Sequence, residues 1–68
     1  MVVADRIKEA RTERLGLTQR ELAESLGIDQ VNVSRWERGI AEPRIKHLRE
    51  IALLAELPLA WFFEEVAA

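Results

Sequence analysis

The sequence contains no cysteine and only one histidine, His47. These scarcities exclude a disulfide framework and a zinc site built from cysteine and histidine, two usual ways of stabilising a small domain. No apolar run reaches the ~18 residues of a membrane span, and the N-terminus lacks the charged and apolar regions of a signal peptide. We therefore expect a cytoplasmic protein with no metal, cofactor or membrane partner, stabilised by helix packing or self-association.

The charge balance is acidic, with a net charge of −2 over 68 residues, a length that suits one small domain. A negative net charge argues at first against a polyanionic partner. Its distribution is uneven, because residues 29–49 hold five bases and three acids, whereas residues 50–68 hold four acids and no base. The middle of the chain is mildly basic, which is also consistent with an ordinary solvated face of mixed charge.

Apolar periodicity and helix-stop residues predict five helices and no strand, over about residues 4–15, 18–26, 30–38, 43–55 and 58–66. Pro43 is expected as the first residue of the fourth helix. The residues predicted to face inward are Val3, Ile7 and Ala10; Leu22, Ala23 and Leu26; Val33 and Trp36; Ile45, Leu48, Ile51, Ala52 and Ala55; and Leu59, Phe62, Phe63 and Val66.

Residues 18–39 carry the signals of two short helices folded about a glycine. Thr18 and Glu21 form a capping-box pattern, in which each side chain satisfies a free amide at the helix start. Gly27 can take the left-handed backbone that ends this helix, and Asp29 is a suitable N-cap for the next one. With Val33 turned inward, the outer face of the third helix spans an arc of about 140°. It carries Gln30, Val31, Ser34, Arg35 and Arg38.

These motifs support a family resemblance. The pattern Thr-Gln-x-x-Leu-Ala-x-x-Leu-Gly-Ile from Thr18, then Val-Ser-Arg-Trp-Glu-Arg-Gly from Val33 and a proline four residues later, resembles the phage-repressor and Cro type of helix-turn-helix regulators, the XRE family. It covers about residues 6–64. The resemblance implies an all-α, compact five-helix, lambda-repressor-like DNA-binding domain over residues 1–68, encoded by a bacterium or phage and associated with the nucleoid. One departure is an extra residue between Arg11 and Gln19 relative to shorter members, which lengthens helix one.

The resemblance places the third helix in the DNA major groove, where its residue types suit base recognition. Gln30 can both donate to and accept from adenine N6 and N7. Arg35 can place two donors on guanine O6 and N7, a contact worth about 1–3 kcal/mol of discrimination. Val31 suits a thymine methyl, and Ser34 can bond to a base or a phosphate.

Phosphate contacts are expected from a second set of residues, Gln19, Asn32, Arg38 and Arg44. Gln19 would present its side-chain amide and a backbone N–H from the start of helix two. The resemblance implies that Gln19 also braces Gln30. Each phosphate neutralised adds about 0.9 to the slope of log affinity against log salt, so several contacts outweigh the net negative charge.

Two further interactions follow from the resemblance or from helix geometry. Family members pair the residue at Glu37 with an arginine of helix one, here Arg11, and the alternative is a solvated helix-surface charge.

Trp61 falls opposite the apolar stripe of helix five, which suggests a homodimer interface of Leu57, Trp61 and Phe62. A twofold dimer would set two recognition helices ~34 Å apart on a palindromic site. The alternative is a monomer in which Trp61 packs on helix four.

The predicted function is sequence-specific binding of double-stranded DNA by a homodimeric transcriptional repressor or controller that reads a palindromic operator through residues 30–38. An enzyme is not expected, because no nucleophile, carboxylate pair or phosphate-binding glycine loop stands out, and no small-molecule ligand is evident. The alternative is a helical protein-interaction module, such as an antitoxin that binds a partner protein and regulates its own operon.

Overall fold

A computed structural model describes residues 2–65, and the regular secondary structure in this part of the chain is all helical, with no strand. Its elements are α1 (Val2–Glu9), a π-helical turn (Ala10–Arg14), α2 (Gln19–Leu26), α3 (Gln30–Glu37), α4 (Ile45–Ala55) and a 3₁₀ helix (Leu59–Phe63). The all-α fold class is confirmed. The prediction of five α-helices is corrected to four followed by a 3₁₀ helix, and Val66 lies outside the described residues.

The first predicted helix is divided into an α-helical and a π-helical part. The backbone N–H of Leu15 donates to the carbonyl of Ala10 at 2.9 Å, five residues back rather than four. A π turn holds more residues than an α turn, and such turns occur as short insertions within α-helices. The first predicted helix therefore ends in a wider, π-helical turn over Ala10–Arg14.

The junctions around α2 and α3 form as local signals predict. Thr18 and Glu21 make both hydrogen bonds of the capping box, at 3.1 and 2.8 Å. Gly27 takes a left-handed conformation with φ +70°, which ends α2 at no steric cost for a residue without Cβ. Asp29 then caps α3 by accepting from the backbone N–H of Val31 at 2.9 Å. These contacts define the turn and the angle at which α3 leaves it.

The start of α4 differs from the prediction. The helix begins at Ile45, with Arg44 as an extended N-cap residue, so Pro43 lies before the helix rather than at its first position. Ile45 is 48% exposed, so the prediction that it faces inward is wrong. It lines a shallow surface groove together with Val3 and Phe63.

The 3₁₀ geometry changes which residues of the last helix are buried. Three residues per turn bring Leu59 and Phe62 into line, whereas an α-helix would have placed Phe63 on the same stripe. Phe62 is fully buried, but Phe63 is 51% exposed. The expectation of an inward Phe63 is therefore wrong. The prediction that Phe62 belongs to a dimer interface is also corrected, because a fully buried side chain has no surface to offer a partner.

The core lies where α1, α2, α3, α4 and the 3₁₀ helix meet. Its buried residues are Ile7, Ala10, Leu22, Ala23, Leu26, Val33, Trp36, Leu48, Ile51, Ala52 and Phe62. All of these were predicted to face inward, while Val3, Ala55 and Leu59, also predicted to face inward, are only partly buried. Within residues 2–65 no helix has the length and apolar character needed to cross a membrane.

Candidate nucleic-acid interface

The outer face of α3 makes no side-chain hydrogen bond or ion pair within residues 2–65. Val33 and Trp36 anchor the helix in the core. The residues on its other side are Gln30, Val31, Arg35 and Arg38, which are exposed, and Asn32 and Ser34, which are half-buried. No hydrogen bond or ion pair holds any of these six side chains within the described part of the chain. The face thus presents unpaired donors and acceptors on a rigid helix.

The four predicted base-reading residues form two neighbouring rows on this face. Gln30 and Ser34 are four residues apart, as are Val31 and Arg35, so each pair lies one turn apart on the same side. Val31 is 44% exposed and does not contribute to the core. The combination can offer an amide, a hydroxyl, a guanidinium and a methyl surface to one partner.

The predicted pairing of Arg11 and Glu37 is present in the structure. Arg11 donates from Nε to Glu37 Oε2 at 2.6 Å and from Nη2 to Oε1 at 2.9 Å, a bidentate ion pair. Arg11 is 11% exposed and Glu37 only 4%, so the pair is largely removed from water. Glu37 is therefore not a free surface charge, and its carboxylate does not face a partner as an uncompensated anion.

This pair also fixes the connection that leads into α2. Arg11 Nη1 donates to the backbone carbonyl of Leu17 at 2.9 Å. The hydrogen bond to Glu37, followed by the Coulomb attraction between the two charges, raises the pKa of Arg11, while partial burial opposes that rise. Arg11 thus stays charged and has its donors directed inward, which leaves it unavailable to a partner.

The predicted phosphate contacts come from three places in the fold. Gln19 is the first residue of α2, and its side chain donates to Glu37 Oε1 at 3.1 Å. No Gln19–Gln30 hydrogen bond occurs among the described residues. Arg44 is the exposed N-cap of α4 and makes no side-chain cap, so the first amides of that helix are left without one. Asn32 and Arg38 belong to α3 itself.

Sequence reasoning missed a buried arginine, Arg6. Its Nε and Nη2 donate to the backbone carbonyls of Glu64 and Glu65, each at 3.0 Å, and its guanidinium lies 4.5 Å from the centre of the Trp61 ring. Nη1 pairs with Glu9 at 3.3 Å. Helical periodicity gives no signal for this, because Arg6 is buried only when the end of the chain returns to α1. The contacts tie the C-terminal segment to the first helix.

The surface predicted to hold a dimer interface is partly apolar. Trp61 and Leu57 are half-buried, and the Trp61 ring packs edge-on against Phe62. Sequence reasoning did not single out Leu53, which is 80% exposed near the end of α4, next to Leu54, which is 47% exposed. Leu53, Leu57 and Leu59 line one shallow groove. Leu53 is thus a large apolar side chain that is mostly exposed and does not contribute to the core.

Comparison with known proteins agrees with this architecture. Residues 7–62 match the helix-turn-helix family, so the chain belongs to that family, which confirms the XRE-type resemblance. It is similar to the HTH-type transcriptional regulator DicA of Escherichia coli K12, with 38% identity over 61 residues, covering 90% of this chain and 44% of DicA. Two uncharacterized HTH-type transcriptional regulators, from Sinorhizobium medicae WSM419 and Rhizobium meliloti 1021, are each 35% identical over 63 residues.

The chain spans less than half the length of these curated relatives. The two rhizobial proteins are covered over 45% of their length by 93% of this chain. The shared part is therefore the helix-turn-helix region described here. No solved structure matches the chain.

Proposed function

We propose that this chain is the DNA-binding domain of a transcriptional regulator that reads a palindromic operator as a homodimer and acts as a repressor or controller. The related proteins are named as HTH-type transcriptional regulators, which supports the general assignment. The observation that carries the proposal is the outer face of α3. A helix that only completes a core has no need for exposed Gln30, Val31 and Arg35 without hydrogen-bond or ion-pair partners in residues 2–65.

Base recognition is assigned to four side chains of α3. A helix about 10–12 Å across fits the major groove of B-DNA, and its first turns reach the base edges. Gln30 would pair with adenine and Arg35 with guanine, while Val31 packs on a thymine methyl. Ser34 lies beside Gln30 and would contact a base or a phosphate. Within residues 2–65 no hydrogen bond or ion pair holds these side chains, so none has to be broken before they contact DNA.

Phosphate contacts are assigned to Gln19, Asn32, Arg38 and Arg44. They come from the start of α2, from α3 and from the N-cap of α4, and helix starts offer free backbone N–H groups to anions. Because the Glu37 carboxylate is paired with Arg11, its negative charge is neutralised and does not repel DNA phosphates. The face then carries the positive charges of Arg35 and Arg38, so the net charge of the chain does not oppose binding.

The homodimer is assigned to the end of α4 and the segment after it. The groove of Leu53, Leu57 and Leu59 offers apolar area that a second copy can bury, and the half-buried Trp61 follows two residues after Leu59 in the chain. The domain measures 30 × 25 × 20 Å. Two such domains side by side can set equivalent helices ~34 Å apart, one turn of DNA.

Selection from random duplexes tests this function. The wild-type protein, Arg35→Ala and the control Lys8→Ala, which removes the same charge from an exposed site on α1, are each incubated with the pool at physiological salt. We expect the wild type and Lys8→Ala to enrich the same palindrome. Arg35→Ala should lose preference at one guanine per half-site.

Two results would contradict the proposal in different ways. Enrichment of a sequence without twofold symmetry would refute the dimeric mode but keep DNA recognition. No enrichment by the wild type would refute DNA recognition by this chain. The protein-interaction alternative, an antitoxin-like module, would then be favoured by the exposed Leu53.

A further inference from the structure

Gln19 is held by the recognition helix before any DNA is present. Its Nε2 donates to Glu37 Oε1 at 3.1 Å, and Arg11 Nη2 donates to the same oxygen at 2.9 Å. Glu37 is the last residue of α3, and Gln19 is the first residue of α2. One buried carboxylate therefore joins the end of one helix to the start of the other.

The chemistry of the contact determines how the Gln19 amide is oriented. A carboxylate in an ion pair only accepts hydrogen bonds, so it must face the amide nitrogen of Gln19 and not the amide oxygen. One N–H is thereby used. The second N–H and the amide oxygen have no partner within residues 2–65. Gln19 thus keeps one donor and one acceptor, both in fixed positions.

Arg11 fixes the backbone at the same point. Besides its two bonds to Glu37, it donates to the carbonyl of Leu17, two residues before Gln19. The backbone N–H of Leu17 donates in turn to the carbonyl of Arg11 at 2.9 Å. The start of α2 and the side chain of its first residue are consequently both held by the same buried pair.

We propose that Glu37, held by Arg11, is a positioning residue that sets the side chain of Gln19 for a DNA phosphate. This inference rests on the proposed function, and it links the Gln19 side chain to Glu37, whereas the family resemblance implies that Gln19 braces Gln30. Immobilising a flexible side chain only on binding weakens affinity by about two- to tenfold. Here the side chain is ordered on folding, and Gln30 is left free for a base.

Two double variants separate positioning from general stability. Arg11→Met/Glu37→Met replaces the buried pair by apolar side chains, a change that proteins often tolerate without loss of stability. Arg11→Met/Glu37→Gln removes the same charges but keeps an oxygen that can accept from Gln19. Both are compared with the wild type for affinity to a fixed operator duplex, at a temperature where circular dichroism shows each to be folded.

We expect Arg11→Met/Glu37→Met to bind about five- to tenfold more weakly than the wild type, and Arg11→Met/Glu37→Gln to recover most of that loss. Gln19→Ala should weaken the wild type by a similar factor. Added to Arg11→Met/Glu37→Met, it should change affinity by less than about twofold, because Gln19 is already released. A purely structural role of the pair predicts no difference between the two double variants.

A measurement without DNA completes the test. In the free protein, one of the two side-chain amide protons of Gln19 should be protected from exchange with solvent, as measured by NMR. That protection should vanish in Arg11→Met/Glu37→Met and persist in Arg11→Met/Glu37→Gln. Equal affinity and equal protection in both variants would overturn the inference. Failure of the wild type to bind any duplex would instead refute the proposed function, while the protection pattern would still show whether Glu37 holds Gln19.

Discussion

Removing one partner of the Arg11–Glu37 pair should cost far more stability than removing both. In Glu37→Met, Arg11 keeps its charge in a site where it is 11% exposed, and it loses both bonds to the carboxylate. Leaving a buried charge without its partner costs about 3–5 kcal/mol, and the lower end applies because the pair lies near the surface. A chain of 68 residues has a total stability of roughly 3–10 kcal/mol, so the loss is a large part of it.

The assay is urea unfolding followed by far-UV circular dichroism and by the fluorescence of tryptophan. We expect Glu37→Met to lose about 3 kcal/mol, which lowers the melting temperature by roughly 10–25 °C. Arg11→Met/Glu37→Met should lose clearly less. Glu24→Met is the control, because Glu24 is an exposed carboxylate on α2. A loss below about 1 kcal/mol for Glu37→Met, equal to that of the control, would refute this reasoning and favour a surface charge of little consequence.

Three further outcomes follow from particular contacts. The backbone and side-chain hydrogen bonds of Thr18 lower the pKa of the Glu21 carboxyl, so its stabilising effect is present above the unfolded pKa of about 4.3 and is lost as pH falls through the lower folded value. Glu21→Gln should therefore lower the urea midpoint at pH 7 but not at pH 2, and an equal shift at both would contradict this. Arg6→Lys should lower the free energy of unfolding by about 1.5–3 kcal/mol and alter the fluorescence of Trp61, because lysine cannot replace the forked hydrogen bonds of the guanidinium. An unchanged thermal unfolding curve would contradict a stabilising role of Arg6. Leu53→Glu should sediment as a monomer where the wild type is a dimer, without a change in melting of the dilute protein, and an unchanged dimer would remove Leu53 from the interface.

Local chemistry explains what could be predicted from the sequence. The capping box at Thr18, the left-handed Gly27 and the N-cap Asp29 each depend on a few adjacent residues, and all three form as expected. The buried stripes of α2 and α3 also follow directly from helical periodicity. These signals determine where α3 begins and which side of it remains exposed, so the composition of the candidate interface is readable from the sequence.

Departures from the α-helical period explain the main errors. The π turn near Ala10 and the 3₁₀ helix ending at Phe63 do not follow 3.6 residues per turn, and a wheel drawn at that period misplaced Phe63. The choice between helix types depends on how the segment meets the core. Periodicity alone therefore predicted a helix but not its type.

Long-range contacts account for the remaining features that the sequence did not predict. Arg6 is buried only because the chain returns to α1 after 58 residues, and its own helix gives no sign of that. The link from Gln19 to Glu37 likewise depends on the angle between α2 and α3. Family resemblance pointed to the pair with Arg11, but the third member of the network came from the structure.

Methylation interference on the selected operator tests most directly whether α3 reads bases in the major groove. Duplexes that carry guanines methylated at N7 are separated into protein-bound and free fractions, once with the wild type and once with Arg35→Ala. We predict that one guanine per half-site blocks wild-type binding when methylated and has no effect on the already weaker binding of Arg35→Ala. Interference at no guanine of the site, or the same interference in both proteins, would contradict base reading by Arg35.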